Sequence, residues 1–193
     1  MSGIQSRALL FSGPPGVGKS SSVRNIAERF DSCSLAGFFS SEIRVDGQRQ
    51  GFQIEMADST EAGLLASPTV AGEPRFGTLM PDGRRRLGIS LDFLENVACP
   101  VTLDRAGTAS LIVVDEIGPM QACSAVFRTM IEELLSSASL LVASVGVSDD
   151  PWIVGIRTDP RAALFELTRS NRDILTDALG SWVKRQGSSM QRR

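Results

Sequence analysis

The chain has 193 residues, 42% of them hydrophobic, and a formal net charge of −2, the size and composition of one ordinary globular domain rather than of a disordered segment. So small a net charge supplies no global field toward nucleic acid or an anionic membrane, and no apolar stretch reaches the ~20 residues that span a bilayer. His and Tyr are absent, so any general base is a carboxylate, Lys or Cys, and a His-dependent triad is excluded.

Ala8 to Phe11 reads as a short buried strand, and the residues ahead of it lack the apolar core of a signal peptide. The strand runs into Gly13-Pro14-Pro15-Gly16-Val17-Gly18-Lys19-Ser20, a complete G-x-x-x-x-G-K-[ST] phosphate loop. Ser21 to Phe30 follows as a helix, with Val23, Ile26, Ala27 and Phe30 on one face. This context is the one the loop's chemistry needs. The glycines let backbone N–H groups wrap a phosphate chain, and Lys19 brings positive charge to the β- and γ-phosphates. The Ser20 hydroxyl can ligate Mg²⁺, and the helix start at Ser21 faces the anion. Gly13 to Ser21 are therefore the expected nucleotide-binding residues.

Phe39, Ile43 and Val45 on one side of Asp46-Gly47, and Phe52, Ile54 and Met56 on the other, keep a two-residue period. Asp-Gly between two such runs predicts a β-hairpin. Residues 57 to 88, broken by Pro68, Pro74 and Pro81, read as loops, with Arg84-Arg85-Arg86 a solvated basic run. Ser90 is placed to cap a helix carrying Leu91, Phe93, Leu94, Val97 and Ala98; Pro100 ends or bends it, and Val101 to Ala106 continues as a second helical stretch.

Leu111 to Val114 predicts a strand ending in Asp115-Glu116, and Ile117 to Met120 a loop. Ser124 to Leu135 is an amphipathic helix whose sheet-facing side holds Val126, Phe127, Met130, Ile131, Leu134 and Leu135. Leu140 to Val145 is a further buried strand. Asp149-Asp150-Pro151 opens a loop or short helix with Trp152 and Ile156, and Ala163 to Thr168 is the last strand. Ser170 caps a helix through Leu179 that buries Ile174, Leu175 and Ala178. Residues 184–193 read as a short basic, disordered tail, which leaves 1–183 as a single domain. Strands alternating with amphipathic helices predict an α/β P-loop NTPase fold: a largely parallel sheet flanked by helices, with an inserted β-hairpin. Cys33, Cys99 and Cys123 have no C-x-x-C spacing. They are expected as buried or half-buried thiols of a reducing, cytoplasmic protein.

Asp115 falls at the carboxyl end of its strand, where a ligand binds in such folds, and is the expected Mg²⁺ carboxylate with Ser20. Glu116, beside it, is the expected catalytic group, orienting a water for in-line attack on the γ-phosphate. Further positive charge would come from Arg44 on the hairpin, or from Arg169 or Arg172 near the last helix. Asp115-Glu-Ile-Gly118 also fits the D-x-x-G pattern of small GTPases, but no Asn-Lys-x-Asp guanine reader follows. A Leu-Ser-Gly-Gly-Gln stretch is absent, which excludes a transporter ATPase subunit. A nucleotide or small-molecule kinase stays open, with Arg84 to Arg86 as its lid. So does a nucleotide-gated binding module in which slow hydrolysis resets contact with a partner.

Four motifs stand in order: Gly13 to Ser20; Gly37-Phe-Phe-Ser-Ser-Glu42-Ile-Arg44 with Gly51-Phe52; Leu111-Ile-Val-Val-Asp115-Glu116-Ile-Gly118-Pro-Met120; and Thr168-Arg-Ser-Asn171-Arg172-Asp173. Together they resemble the THEP-type nucleoside-triphosphatase family, whose human member is called the cancer-related nucleoside triphosphatase. The likeness spans roughly residues 7 to 179. It implies a compact P-loop fold and slow, base-tolerant, Mg²⁺-dependent hydrolysis of nucleoside triphosphates. Lys19 then stabilises charge, Ser20 and Asp115 hold the metal, Glu116 is catalytic, and Glu42 and Arg44 form the family's Glu-x-Arg segment. Two departures stand out: Gln121 replaces the family's usual acidic residue, and residues 57 to 88 follow the family pattern poorly. Expected partners are ATP, GTP and other nucleoside triphosphates and an unidentified protein, with no nucleic acid or membrane, and the chain is expected to be a monomer.

Overall fold

Hydrophobic runs that alternate faces, as Leu111 to Val114 do, must be covered on both sides, and the chain does this with one sheet and two helical layers. The computed structural model describes residues 6–31, 34–83 and 85–190. Strand β1 (Ala8–Ser12) is buried along its whole length and leads through the phosphate loop to helix α1 (Lys19–Ala27). Strands β2 (Leu35–Val45) and β3 (Gln48–Met56) form the expected hairpin around Asp46-Gly47, and their pairing shifts at Ile43/Arg44.

The segment read as loops instead contributes three strands: β4 (Ala62–Ser67), β5 (Arg75–Leu79) and β6 (Arg85–Ile89). They extend the hairpin in antiparallel fashion. Arg75 holds this extension together by donating to the carbonyls of Val70, Arg85 and Arg86. Of the basic run, Arg84 lies outside the described residues.

A π-helical turn, Leu94–Ala98, passes without a break into α2 (Cys99–Ala106), so Pro100 sits in a continuing helix. Next come β7 (Leu111–Ile117), α3 (Ala125–Ser136), β8 (Leu141–Val145), α4 (Pro151–Arg157), β9 (Ala162–Glu166) and α5 (Arg172–Met190). Two helix starts carry side-chain caps: Ser124 accepts from Phe127 N, and Asp150 accepts from Trp152 N and Ile153 N. Helix α5 continues beyond the Leu179 expected as its end and takes in residues 184–190 of the segment read as a tail; 191–193 lie outside the described residues.

Among the described residues the sheet has nine strands in the order β5-β6-β4-β3-β2-β7-β8-β1-β9. The pairs from β2 to β9 along that order are parallel, and the rest are antiparallel. The expectation of a largely parallel sheet is therefore corrected to a mixed one: an α/β fold with a parallel half and an antiparallel half.

One face carries α2, α3 and α4 over Leu10, Phe38, Ile112 and Val114. The other carries α1 and α5 over Leu9, Phe11, Leu111 and Val113. Two residues expected in the core are exposed, Val126 and, at 72%, Ile174; Thr176 and Leu179 are buried on α5. Cys99 is buried and Cys123 is exposed, correcting its expected burial, while Cys33 lies outside the described residues. Among the described residues no helix is long and apolar enough to cross a membrane.

Candidate active site

The phosphate loop follows a fully buried strand, so its path is fixed at both ends. Leu167 N donates to the Ser12 carbonyl, tying the loop's entry to the end of β9. Gly18 begins α1 with φ +103, and a Cβ there would fall 2.7 Å from Arg172 Cδ, so only glycine suits the position. The Lys19 ammonium donates to the Gly13 carbonyl at 3.0 Å and so lies across the loop's mouth. Pro14, Pro15 and Gly16 form the exposed rim, while Val17 is buried beneath it.

Strand β7 runs through Asp115 and Glu116 instead of stopping at Val114, and the peptide joining the two acids is cis. Asp115 is 1% exposed. Its Oδ1 accepts from Ser20 Oγ at 3.0 Å and from Ser144 Oγ, while Oδ2 has no partner. Burial pushes the Asp115 pKa up, against the two hydroxyl donors and the charges of Arg24 and Lys19, which hold it down. Glu116 is raised too, first by burial and then by Asp115, with Lys19 opposing. The buried Asp115 and half-buried Glu116 carboxylates and the Ser20 hydroxyl form a set of hard oxygen donors suited to Mg²⁺, which otherwise fills its coordination with water and phosphate oxygens. The unpaired Oδ2 of Asp115 fits such an ion. Ser20 and Asp115 are the residues that would hold it.

A cleft of about 630 Å³ joins these groups. Gly13, Gly16, Gly18, Lys19, Ser20 and Ser21 form one wall; Asp115 and Glu116 form the floor; Ser40, Glu42, Arg49, Phe52 and Gln121 form the far side. Lys19, Glu116, Ser20 and Asp115 are thus brought together as expected.

Arg44 is not. It binds Glu42 and the Gly47 carbonyl at the hairpin turn, and Arg49 faces the cleft instead. The pairing of β2 with β3 shifts at Ile43/Arg44, and Arg44 is held at the turn by its two partners. Arg169 is exposed. Arg172 lies along the phosphate loop, donating to Val17 O at 3.5 Å and pairing with Asp173. Asn171 shapes the turn before α5, accepting from Thr168 N and donating to Glu166 O.

Two contributors, Ser144 and Arg49, are not expected from the sequence, and Gln121 is singled out there only as a departure from the family pattern. Ser144 is the single hydroxyl in the otherwise apolar run Leu140–Val145, and a polar group in a buried strand signals a partner. Arg49 and Gln121 reach the cleft only through the hairpin's register and the turn after β7.

The chain matches the model of the family described as NTPase over residues 8–179. The nucleoside-triphosphatase THEP1 of Thermotoga sp. (strain RQ2) is 32% identical over 177 residues, covering 91% of this chain and 95% of the relative. The cancer-related nucleoside-triphosphatase homolog of Mus musculus is 30% identical over 187 residues, covering 88% and 93%. The crystal structure of THEP1 from Aquifex aeolicus superposes with a TM-score of 0.76 at 27% identity, over 91% of this chain and 98% of that one. The solution structure of a human cancer-related nucleoside triphosphatase gives 0.70 at 28%, over 92% and 97%. With the family model and whole-length relatives agreeing on a chain whose loop and paired acids meet in one cleft, this chain belongs to the NTPase family that includes the THEP1 nucleoside-triphosphatases.

Proposed function

We propose that this chain hydrolyses nucleoside triphosphates to the diphosphate and phosphate, with Mg²⁺ and with broad tolerance of the base. One observation carries the reading: Ser20 of the phosphate loop and Asp115 of β7 are hydrogen-bonded at 3.0 Å, with Glu116 beside them in the same cleft. That joins the phosphate cradle to the carboxylates that phosphoryl transfer needs. Lys19 leaves the Gly13 carbonyl for the β- and γ-oxygens of the bound nucleotide. Ser20 and Asp115 would hold Mg²⁺, which when bound neutralises charge on those oxygens. Glu116 orients the attacking water and accepts its proton, and the bond to the bridging oxygen breaks as the new oxygen–phosphorus bond forms.

Base tolerance is supported by the second hollow, about 390 Å³, which adjoins the loop at Ser21 between α1 and α5. Its lining residues, among them Asn25, Arg172 and Asp177, include no aromatic or aliphatic side chain, so a base there meets charges, hydroxyls and one amide rather than a fitted aromatic slot.

The test is phosphate release from ATP, GTP, CTP and UTP, with and without Mg²⁺, by the parent chain, Lys19→Ala and Glu116→Gln. All four should be hydrolysed by the parent, and only with the metal. Glu116→Gln should lower turnover by about 10²–10⁴-fold while nucleotide still binds, and Lys19→Ala should weaken both. A parent chain that binds nucleotide tightly yet releases no phosphate would overturn the reading.

A further inference from the structure

The turn after β7 carries a side chain that the scheme above leaves idle. Gln121 is 1% exposed and lines the cleft. Its Nε2 donates to Ser40 Oγ on β2 at 3.0 Å, which fixes the plane of the amide and turns Oε1 away from β2. That oxygen has no hydrogen-bond partner. A buried amide oxygen left unpaired costs stability, so its position calls for a donor that arrives from outside the chain.

Gly118 shows where Oε1 points. A Cβ built on Gly118 would lie 2.6 Å from Glu116 Oε1 and 3.1 Å from Gln121 Oε1. The two side-chain oxygens therefore converge on the same face of Gly118, an approach that a side chain at residue 118 would block. The turn that sets this spacing is pinned: Ala122 N donates to Gly118 O at 2.9 Å, Gly146 N to Ile117 O at 3.0 Å, and Ser124 N to Gln121 O at 3.0 Å.

We propose that the attacking water binds between Glu116 and Gln121, donating one hydrogen to each side-chain oxygen, with Ser40 as the positioning residue that aims the glutamine. This rests on the hydrolytic reading above and adds the second half of the nucleophile site. Two acceptors engage both hydrogens of the water and leave a lone pair to face the γ-phosphorus. One acceptor alone leaves the water free to swing about a single hydrogen bond. In the step, the water oxygen bonds to the γ-phosphorus and the bond to the β,γ-bridging oxygen breaks. The bridging oxygen keeps that electron pair, and the water proton passes to Glu116. Gln121 exchanges no proton; its amide orients the nucleophile.

The experiment measures steady-state ATP hydrolysis with Mg²⁺, and equilibrium binding of a fluorescent ATP analogue, for the parent, Gln121→Met, Gln121→Glu and Ser40→Ala. Methionine keeps the length of the side chain but removes the acceptor, and should lower kcat by about 100-fold, as expected when a reacting group loses its orientation. Its Kd for the analogue and its melting temperature should match the parent. Glutamate restores an acceptor oxygen and should turn over faster than the methionine variant, a rescue that a purely structural role does not give. Ser40→Ala should lower kcat by less, again at unchanged Kd.

Parent-like kcat in Gln121→Met, or equal loss of kcat and binding in Gln121→Met and Ser40→Ala alike, would overturn the proposal while leaving the hydrolytic reading intact. A parent chain that binds the analogue but releases no phosphate would overturn both, and that outcome is distinguishable from the first.

Discussion

Burial and the neighbouring Asp115 raise the Glu116 carboxyl above its ordinary pKa of 4.5, and Lys19 only partly offsets them. The folded chain therefore holds this proton at pH values where the unfolded chain has released it. Stability from this group is fully present below the unfolded value and is lost as pH rises through the raised folded one. Glutamine at this position never ionises, so Glu116→Gln should melt at the parent's temperature near pH 4. At pH 8 without metal it should melt higher, by a few degrees for each ~1 kcal/mol gained in a chain of this size. Melting curves by circular dichroism at the two pH values decide the matter. A difference between parent and variant that is the same at both would show that ionisation of Glu116 is not its source. Catalysis and stability pull this residue in opposite directions, as is common for carboxylates held in a cleft.

At the scale of elements, the join between the two halves of the sheet is strand β2, which pairs in parallel with β7 and antiparallel with β3. Gly37 sits opposite Val113 in that join with φ +98, and a Cβ there would run into the Val113 carbonyl. Gly37→Ala should therefore cost about 3 kcal/mol or more by urea unfolding, since strain and a broken ladder act together. Gly47→Ala, at the hairpin turn with φ +75 and open space around it, should cost about 1 kcal/mol. Equal costs would mean that backbone conformation alone, and not the approach of β7, sets the penalty at Gly37.

The same join marks where the sequence stops being legible. The phosphate loop, the β2–β3 turn and the Asp115-Glu116 strand end are local patterns, readable from contiguous residues. The strands β4 to β6 are not: Ala62 to Ser67 has little β-branched or aromatic character, Leu79 is 66% exposed, and the pairing is held by Arg75 across the chain. Which hairpin arginine meets the cleft is likewise not a contiguous pattern: Arg44 is held at the turn by Glu42 and the Gly47 carbonyl, and Arg49 lines the cleft.

Across the whole molecule, the sheet separates two cores that serve the cleft differently. The face under α2, α3 and α4 backs β7 and the turn carrying Gln121, whereas the face under α1 and α5 backs the phosphate loop. Helix α5 closes this second core with Leu179, Trp182 and Val183, and it is tied to α1 through the Thr176–Ser22 hydroxyl pair at 2.8 Å. The reading that ended this helix at Leu179 stopped short because the hydrophobic period weakens where Gly180 and Ser181 intervene, although Trp182 is only 9% exposed. Trp182→Ala should thus cost about 3–5 kcal/mol, lowering the melting temperature by about 10 °C. Turnover per folded molecule should stay at the parent's level when assayed well below the new midpoint, because Trp182 packs under the phosphate loop's helix without lining the cleft. Melting curves and hydrolysis assays on the same preparation separate the outcomes. A variant with the parent's melting temperature would mean that α5 adds little to this core beyond Leu179, and a variant that is folded but inactive would mean that the helix sets the loop's geometry as well as its support.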